Sequence, residues 1–223
     1  EVGYHYFETT RPFIDVYKEN YNEFNELFEE LDLKPVSIYF GLNGESFEED
    51  LKSADALFPF MADNGIKQLT FQGKCRRDYK TTPQDTEYTL NALQTLSRMC
   101  TEYGIIGSLH PHINTPIMYE NEIDYIMQNT DPKYLHFGPD TAHLSCGGCD
   151  PVTVCERYKE RIAFTHLKDN AGAIKAEEKF EQGREVYVNF CELGEGYIDF
   201  PGIFKVLKSV NYDGYLCIEL DRS

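Results

Sequence analysis

Residues 134–145 read Y-L-H-F-G-P-D-T-A-H-L-S, and the fold follows from how this stretch is read. It opens as a short apolar strand and then sets Asp140 and His143 three residues apart, where strand gives way to turn. Other strand-like runs end in the same way. Residues 162–169 (I-A-F-T-H-L-K-D) deliver His166 and Lys168, residues 214–221 (G-Y-L-C-I-E-L-D) deliver Glu219 and Asp221, and residues 105–112 (I-I-G-S-L-H-P-H) deliver His110 and His112. Side chains two apart on a strand point to one face, so each of these pairs converges. Packing alone does not account for so many strand exits that carry metal-ligand or acid–base residues.

Strand and helix alternate along the rest of the chain. Residues 3–9, 34–43 and 66–73 read as strands, the first ending at Glu8 and the third at Gln72. Apolar residues at three- and four-residue steps predict helices over 16–31, 47–63, 85–103, 120–129, 151–161 and 200–210, several closed by Gly or Asn-Gly. A charged segment, 171–186, reads as a surface loop. Such alternation implies a parallel sheet covered by helices. The count reaches seven strands, whereas a closed (β/α)8 TIM barrel has eight. The chain therefore reads as a single TIM-barrel domain over residues 1–223, lacking the first strand and the last helix.

The net charge of −17, from 38 acidic and 21 basic residues, argues against a nucleic-acid partner, because phosphate backbones are held mainly by Lys and Arg. No apolar run approaches the roughly 20 residues that span a bilayer, which argues against a membrane partner. The seven cysteines show no regular spacing and read as reduced thiols, so a cytoplasmic location is expected. Cys146-Gly-Gly-Cys149 lacks the second pair or the nearby histidines that a zinc site needs. It reads as a glycine-rich loop.

Asp140, His166 and Glu219 are the expected metal ligands, since carboxylate and imidazole together suit Mn, Co, Mg, Zn or Fe(II). His110 is read as a fourth ligand and His112 as the acid or base, because imidazole serves either purpose near neutral pH. His143 is read as contacting substrate hydroxyls or orienting a ligand. Lys168 either stabilises an oxyanion or salt-bridges Asp169. Glu8, Gln72 and Arg222 are expected to line the substrate pocket, while His136 is read as an ordinary residue. Gly194 and Gly196 flank Glu195 in a tight turn that starts the last helix and, without G-K-[ST], is no phosphate loop.

The motifs H-P-H-I-N-T (110–115), D-T-A-H (140–143), T-H-L-K-D (165–169), L-G-E-G-Y-I-D-F (193–200) and I-E-L-D (218–221) together resemble the xylose-isomerase-like sugar phosphate isomerase/epimerase superfamily, and within it the inosose dehydratase group. The resemblance implies a metal-dependent barrel that works on a keto sugar or keto-cyclitol by α-proton abstraction and enediolate stabilisation. It also implies a divalent ion held by Glu, Asp, His and Glu from four strands. Asp140, His166 and Glu219 match three of these positions, and His110 stands where the first Glu is expected. That departure disfavours sugar 3-epimerases, which use this Glu as a base. Other isomerases or epimerases and the keto-C-glycoside deglycosidases stay open as alternatives, as does a homo-oligomeric assembly. An endonuclease IV-like repair enzyme is opposed by the charge, and a non-catalytic sugar-binding protein would hold no metal tightly.

Overall fold

Among the described residues seven strands run parallel in chain order, as the alternation predicts. β1 (Tyr6–Thr10), β2 (Lys34–Gly41), β3 (Gln68–Gln72), β4 (Ile106–Leu109) and β5 (Leu135–Phe137) form one sheet in that order. Parallel bridges Phe137↔Ile162 and Asp140↔His166 carry the array on to β6 (Thr165–Leu167), which pairs with the last strand (Leu216–Ile218) through His166↔Cys217. Between these two in sequence lies a short antiparallel ribbon, β7 (Asp169–Asn170) and β8 (Phe190–Cys191), which makes the last strand β9. Here β9 comes round towards β1, with the Tyr6 and Tyr215 rings 5.4 Å apart. The computed structural model describes residues 3–17, 20–74, 80–172 and 189–221. Arg222 and most of the expected charged loop lie outside them.

Helices cover the outside of this α/β barrel: α1 (Arg11–Val16), α2 (Tyr21–Glu30), α3 (Phe47–Asp55), α4 (Phe58–Asp63), α5 (Pro83–Glu102), α6 (Glu120–Asn129), α7 (Thr141–Cys146), α8 (Pro151–Tyr158) and α9 (Phe200–Ser209). Two expected helices are broken. The run 47–63 divides before Phe58 because Pro59 has no N–H to donate and its ring crowds the carbonyl of Asp55; it is tolerated only in a new first turn. The run 16–31 is also broken: α1, with Pro12 in its first turn, ends at Val16, and α2 begins at Tyr21 after Asn20, whose side chain accepts no capping N–H. The 134–145 stretch departs from expectation as well. Its turn is a short helix, α7, capped by the Asp140 side chain, which accepts from the His143 N–H at 2.9 Å.

One apolar core joins the sheet to these helices through Phe24, Ile38, Phe71, Leu96, Ile123, Phe137 and Ile203. A smaller cluster of Ile113, Met118, Ala142, Cys146 and Phe190 sits behind the exits of β4 and β5. No helix among the described residues is long and apolar enough to cross a membrane.

At Gly107, β4 lies close against the Phe71 ring of the neighbouring strand β3. A Cβ there would lie 2.6 Å from Cε2 of the fully buried Phe71. Gly107→Ala is expected to cost about 1–3 kcal/mol through overpacking, seen as a lower urea midpoint at unchanged slope. An unaltered midpoint would show that the Phe71 ring moves aside freely.

Candidate active site

Each functional side chain leaves the carboxyl end of a parallel strand, the end at which barrel and open α/β sites form. Glu8 comes from β1, and Gln72 closes β3. His110 follows β4 directly, with His112 two residues on. Asp140 caps α7 beyond β5, His166 lies within β6, and Glu219 follows β9. A cavity of about 690 Å³ opens among them, its polar end lined by Glu8, Tyr39, His110, His112, Glu219 and Asp221.

Lys168 stands at the centre and is 1% exposed. Its Nζ lies 2.9 Å from Glu219 Oε1, 3.1 Å from Asp221 Oδ2, 3.2 Å from Asp140 Oδ2 and 3.3 Å from His143 Nε2. Burial alone would lower the lysine pKa, but Asp140, Glu219 and Asp221 outweigh it and raise the pKa above its ordinary value. Lys168 is therefore a fixed cation. Of the two sequence readings, the salt bridge to Asp169 is not formed, because neighbours on an extended chain face opposite ways. The Asp169 carboxylate turns outward and accepts from the backbone N–H groups of Gly194, Gly196 and Ile198 at 2.8, 2.9 and 3.2 Å.

His166 donates through Nε2 to Glu8 Oε2 at 2.5 Å, while Glu8 Oε1 accepts from Ser37 Oγ at 2.6 Å and Thr70 Oγ1 at 2.8 Å. Glu8, expected to touch substrate, thus has both oxygens engaged within the protein. Burial opposes charge on both partners, yet the ion pair prevails. It holds Glu8 below the usual carboxylate range and pushes His166 up to about 9.

His112 stands differently. Its Nδ1 lies 2.9 Å from the Ile113 carbonyl, which only accepts, so Nδ1 carries the proton and the Nε2 lone pair is left for the cavity. The Gln72 amide nitrogen also comes within 3.3 Å of Nδ1, and Gln72 Oε1 is held by the Tyr39 hydroxyl. Burial and the Lys168 charge, against the Ile113 hydrogen bond, lower the His112 pKa to about 4, and the ring is neutral at ordinary pH. His143 stacks on it with ring centres 3.8 Å apart, and its Nδ1 accepts from the Ile113 N–H at 3.4 Å. Burial, His112 and Lys168 keep His143 neutral too.

Two buried nitrogens of this site, Nδ1 of His110 and Nδ1 of His166, have no hydrogen-bond partner, while Asp140 Oδ2 has the Lys168 ammonium 3.2 Å away. Buried polar atoms are ordinarily paired, so these two orphaned nitrogens at one end of the barrel mark a place for a ligand. Donor atoms of His110, Asp140 and His143 lie within 4.8 Å of one another, and the His110 and His166 ring centres are 4.5 Å apart. The expected quartet of His110, Asp140, His166 and Glu219 is thus gathered at one end of the barrel, with Glu219 turned onto Lys168. Asp221, paired with Glu219 in the sequence but given no role there, joins the site together with Tyr39 and Phe190, which were not singled out. Asp221 was legible from the two-residue step beyond Glu219. Tyr39, whose ring meets His110 edge-on at 5.2 Å, and Phe190 carried no chemical signal.

A cavity at the carboxyl ends of parallel strands, lined by the imidazoles of His110 and His112 and by Glu219 and Asp221, which pair with a buried lysine, defines a barrel enzyme for a small polar substrate. The chain belongs to the xylose isomerase-like TIM barrel family, which it matches over residues 1–223, and is a sugar-modifying enzyme of that superfamily. Inosose dehydratase of Clostridium botulinum (strain Alaska E43 / Type E3) is 31% identical over 209 residues, covering 85% of this chain and 70% of that protein. Inosose dehydratase of Geobacillus kaustophilus (strain HTA426) is 29% identical over 210 residues, covering 86% and 68%. The solved structure of the IolI protein with a zinc atom bound is similar in fold, with a TM-score of 0.79 at 16% identity over 99% of this chain and 80% of that one.

The Glu8–His166 pair gives the protein a pH signature. A raised histidine pKa adds stability that is complete below about 6.5 and is lost as pH rises through about 9. A lowered Glu8 pKa adds stability that is lost as pH falls below about 4.5. In chelator-treated protein the melting temperature is expected to decline from pH 6.5 to 9, and Glu8→Gln should flatten that decline. A Glu8→Gln profile parallel to the parent's would show that the pair is not its source.

Proposed function

We propose that the chain is a divalent-metal-dependent dehydratase of the inosose dehydratase type, removing water from a keto-cyclitol or keto sugar. The observation that carries this reading is the meeting, at one end of the barrel, of a neutral His112 with a free Nε2, a fixed Lys168 ammonium and the orphaned Nδ1 atoms of His110 and His166 beside the Asp140 carboxylate. The similarity to inosose dehydratases at 29–31% identity supports it.

His110 Nδ1, His166 Nδ1 and Asp140 Oδ2, joined by Glu219, are the groups that would hold a divalent ion such as Mn, Co, Mg or Zn. The donor set fits, since His166 passes its other N–H to Glu8 in the carboxylate–histidine arrangement that fixes a ligating imidazole. When bound, the ion would supply Lewis-acid polarisation of a substrate ketone. In the chain's own chemistry, His112 Nε2 takes the proton from the carbon beside the ketone, and the C–H pair becomes the new carbon–carbon double bond. The Lys168 ammonium faces the charge that develops on oxygen. The C–O bond to the β-hydroxyl then breaks, and the imidazolium of His112 returns its proton so that water leaves and His112 is again neutral. Lys168 is too strongly held in its charged form to be that acid. His143 supports the His112 ring from behind, and Gln72 lies against its Nδ1.

Incubation with 2-keto-myo-inositol and added Mn or Co should yield an ultraviolet-absorbing dehydrated diketone. His112→Ala is expected to lose about 10²–10⁴-fold in kcat. Asp140→Ala should lose both metal, assayed by elemental analysis, and turnover. Full turnover by Asp140→Ala in metal-stripped buffer would sink the scheme, whereas an isomerised sugar without absorbance would assign the site to an isomerase or epimerase.

A further inference from the structure

Lys168 and Asp169 are adjacent, and their surroundings connect two motifs that the reaction leaves apart. The outward Asp169 carboxylate, 0% exposed, receives backbone N–H groups from Asn170, Gly194, Gly196 and Ile198, closing the 194–198 turn around itself. Gly196 is required there, since a Cβ would collide with Asp169 Oδ1 and the Asn170 carbonyl. The same element pairs Asp169 with Cys191 and Asn170 with Phe190 in the β7–β8 ribbon. Asn170 also accepts the Tyr197 N–H at its carbonyl, 3.1 Å away. This register sets the 6%-exposed Phe190 ring 5.1 Å from Lys168 Nζ and edge-on to His143 at 5.4 Å.

We infer that Asp169 is a positioning residue: by clasping the 194–198 turn and the β7–β8 ribbon it holds the Phe190 ring on the Lys168 ammonium, shutting water from that side and directing the ammonium towards the carboxylates and the cavity. The inference rests on the reading that Lys168 faces the charge developed in the reaction. An aromatic face attracts a desolvated ammonium, and the ring adds no competing acceptor beside it. Phe190 thus presents Lys168 with a dry wall on one side, while Asp140, Glu219 and Asp221 meet it on the others.

With 2-keto-myo-inositol as substrate, Phe190→Leu keeps an apolar side chain without the π face, and Asp169→Asn puts an amide NH2 against N–H groups that need acceptors. Each is expected to lower kcat about 3–30-fold, the range of a desolvated cation–π contact, with KM within about twofold because substrate binding is not its target. The combined variant should be no slower than the slower single one, since both act through the same ring. A second readout needs no turnover. In lysine-labelled protein the Lys168 ε-methylene signal, assigned by its loss in Lys168→Arg, should sit upfield under the Phe190 ring. It should move downfield in Phe190→Leu, in Asp169→Asn and in Gly196→Ala, which presses on Asp169 from the turn. Multiplying kcat losses, a change confined to KM, or an unmoved signal in both Asp169→Asn and Gly196→Ala would overturn the inference. Full activity of Lys168→Met would instead remove the catalytic reading while leaving the spectroscopic arm to decide the contact itself.

Discussion

A single ammonium, Lys168 Nζ, with carboxylates from three positions around it, is the constraint to which the remainder of the site answers. Taking a lysine charge out of water costs several kcal/mol, recovered only where the geometry of its partners is good. Asp140, Glu219 and Asp221 meet that demand from two separate strand exits. The exits of β5, β6 and β9 are thereby tied together at the top of the barrel, and His166 and Glu8 extend the tie to β1. The groups also leave a charge imbalance. Glu8, Asp140, Glu219 and Asp221 stand against Lys168 and His166. The surplus of negative charge lies beside the orphaned atoms, where a divalent cation would offset it.

The sequence made most of this legible because two simple periodicities survive folding unchanged. Alternation along a strand brought His166 with Lys168, and Glu219 with Asp221, to one side, and the three- and four-residue steps marked the covering helices. What it missed has local causes. Pro59 was overlooked inside an otherwise good helical pattern, and proline overrides periodicity whenever its missing N–H falls within a helix. The turn after Asp140 proved to be a helix because the same carboxylate that faces Lys168 also caps α7 with its other oxygen. One residue carries both structural and electrostatic work there, and composition does not disclose such sharing. Tyr39 and Phe190 were invisible for another reason: an aromatic ring becomes part of a site only by where the fold delivers it.

The L-G-E-G-Y-I-D-F motif gains a meaning from the structure that its glycines alone did not give. Read by itself it is a helix start, and Asp199 does cap α9 by accepting from the Gly202 N–H at 3.0 Å. Gly196 also leaves room for the Asp169 carboxylate and Gly194 donates its N–H to it, so the motif belongs as much to T-H-L-K-D as to the helix that follows. Successive residues at 168 and 169 serve opposite faces of one short segment. The inward lysine is held by carboxylates, and the outward carboxylate is held by amides.

Position 110 carries the sharpest departure from the pattern that the family resemblance implies. A glutamate there would bring a further carboxylate to a place where Asp140 is already pushed up to about 6 by burial, with Glu219 adding to the rise against the pull of Lys168. A neutral imidazole avoids that repulsion. Burial, with His166, His112 and Lys168 nearby, keeps the His110 pKa well below its ordinary value, so its Nδ1 offers a lone pair and not a charge. The substitution also removes from this exit the carboxylate that would otherwise act as a proton acceptor. In the reaction we propose, that task falls, among the cavity-lining groups, to the imidazole two residues on, His112, whose ring is oriented by the Ile113 carbonyl on one side and by His143 on the other. On that reading, the histidine directly after β4 goes with both a softer donor set and a base displaced by one step along the strand exit.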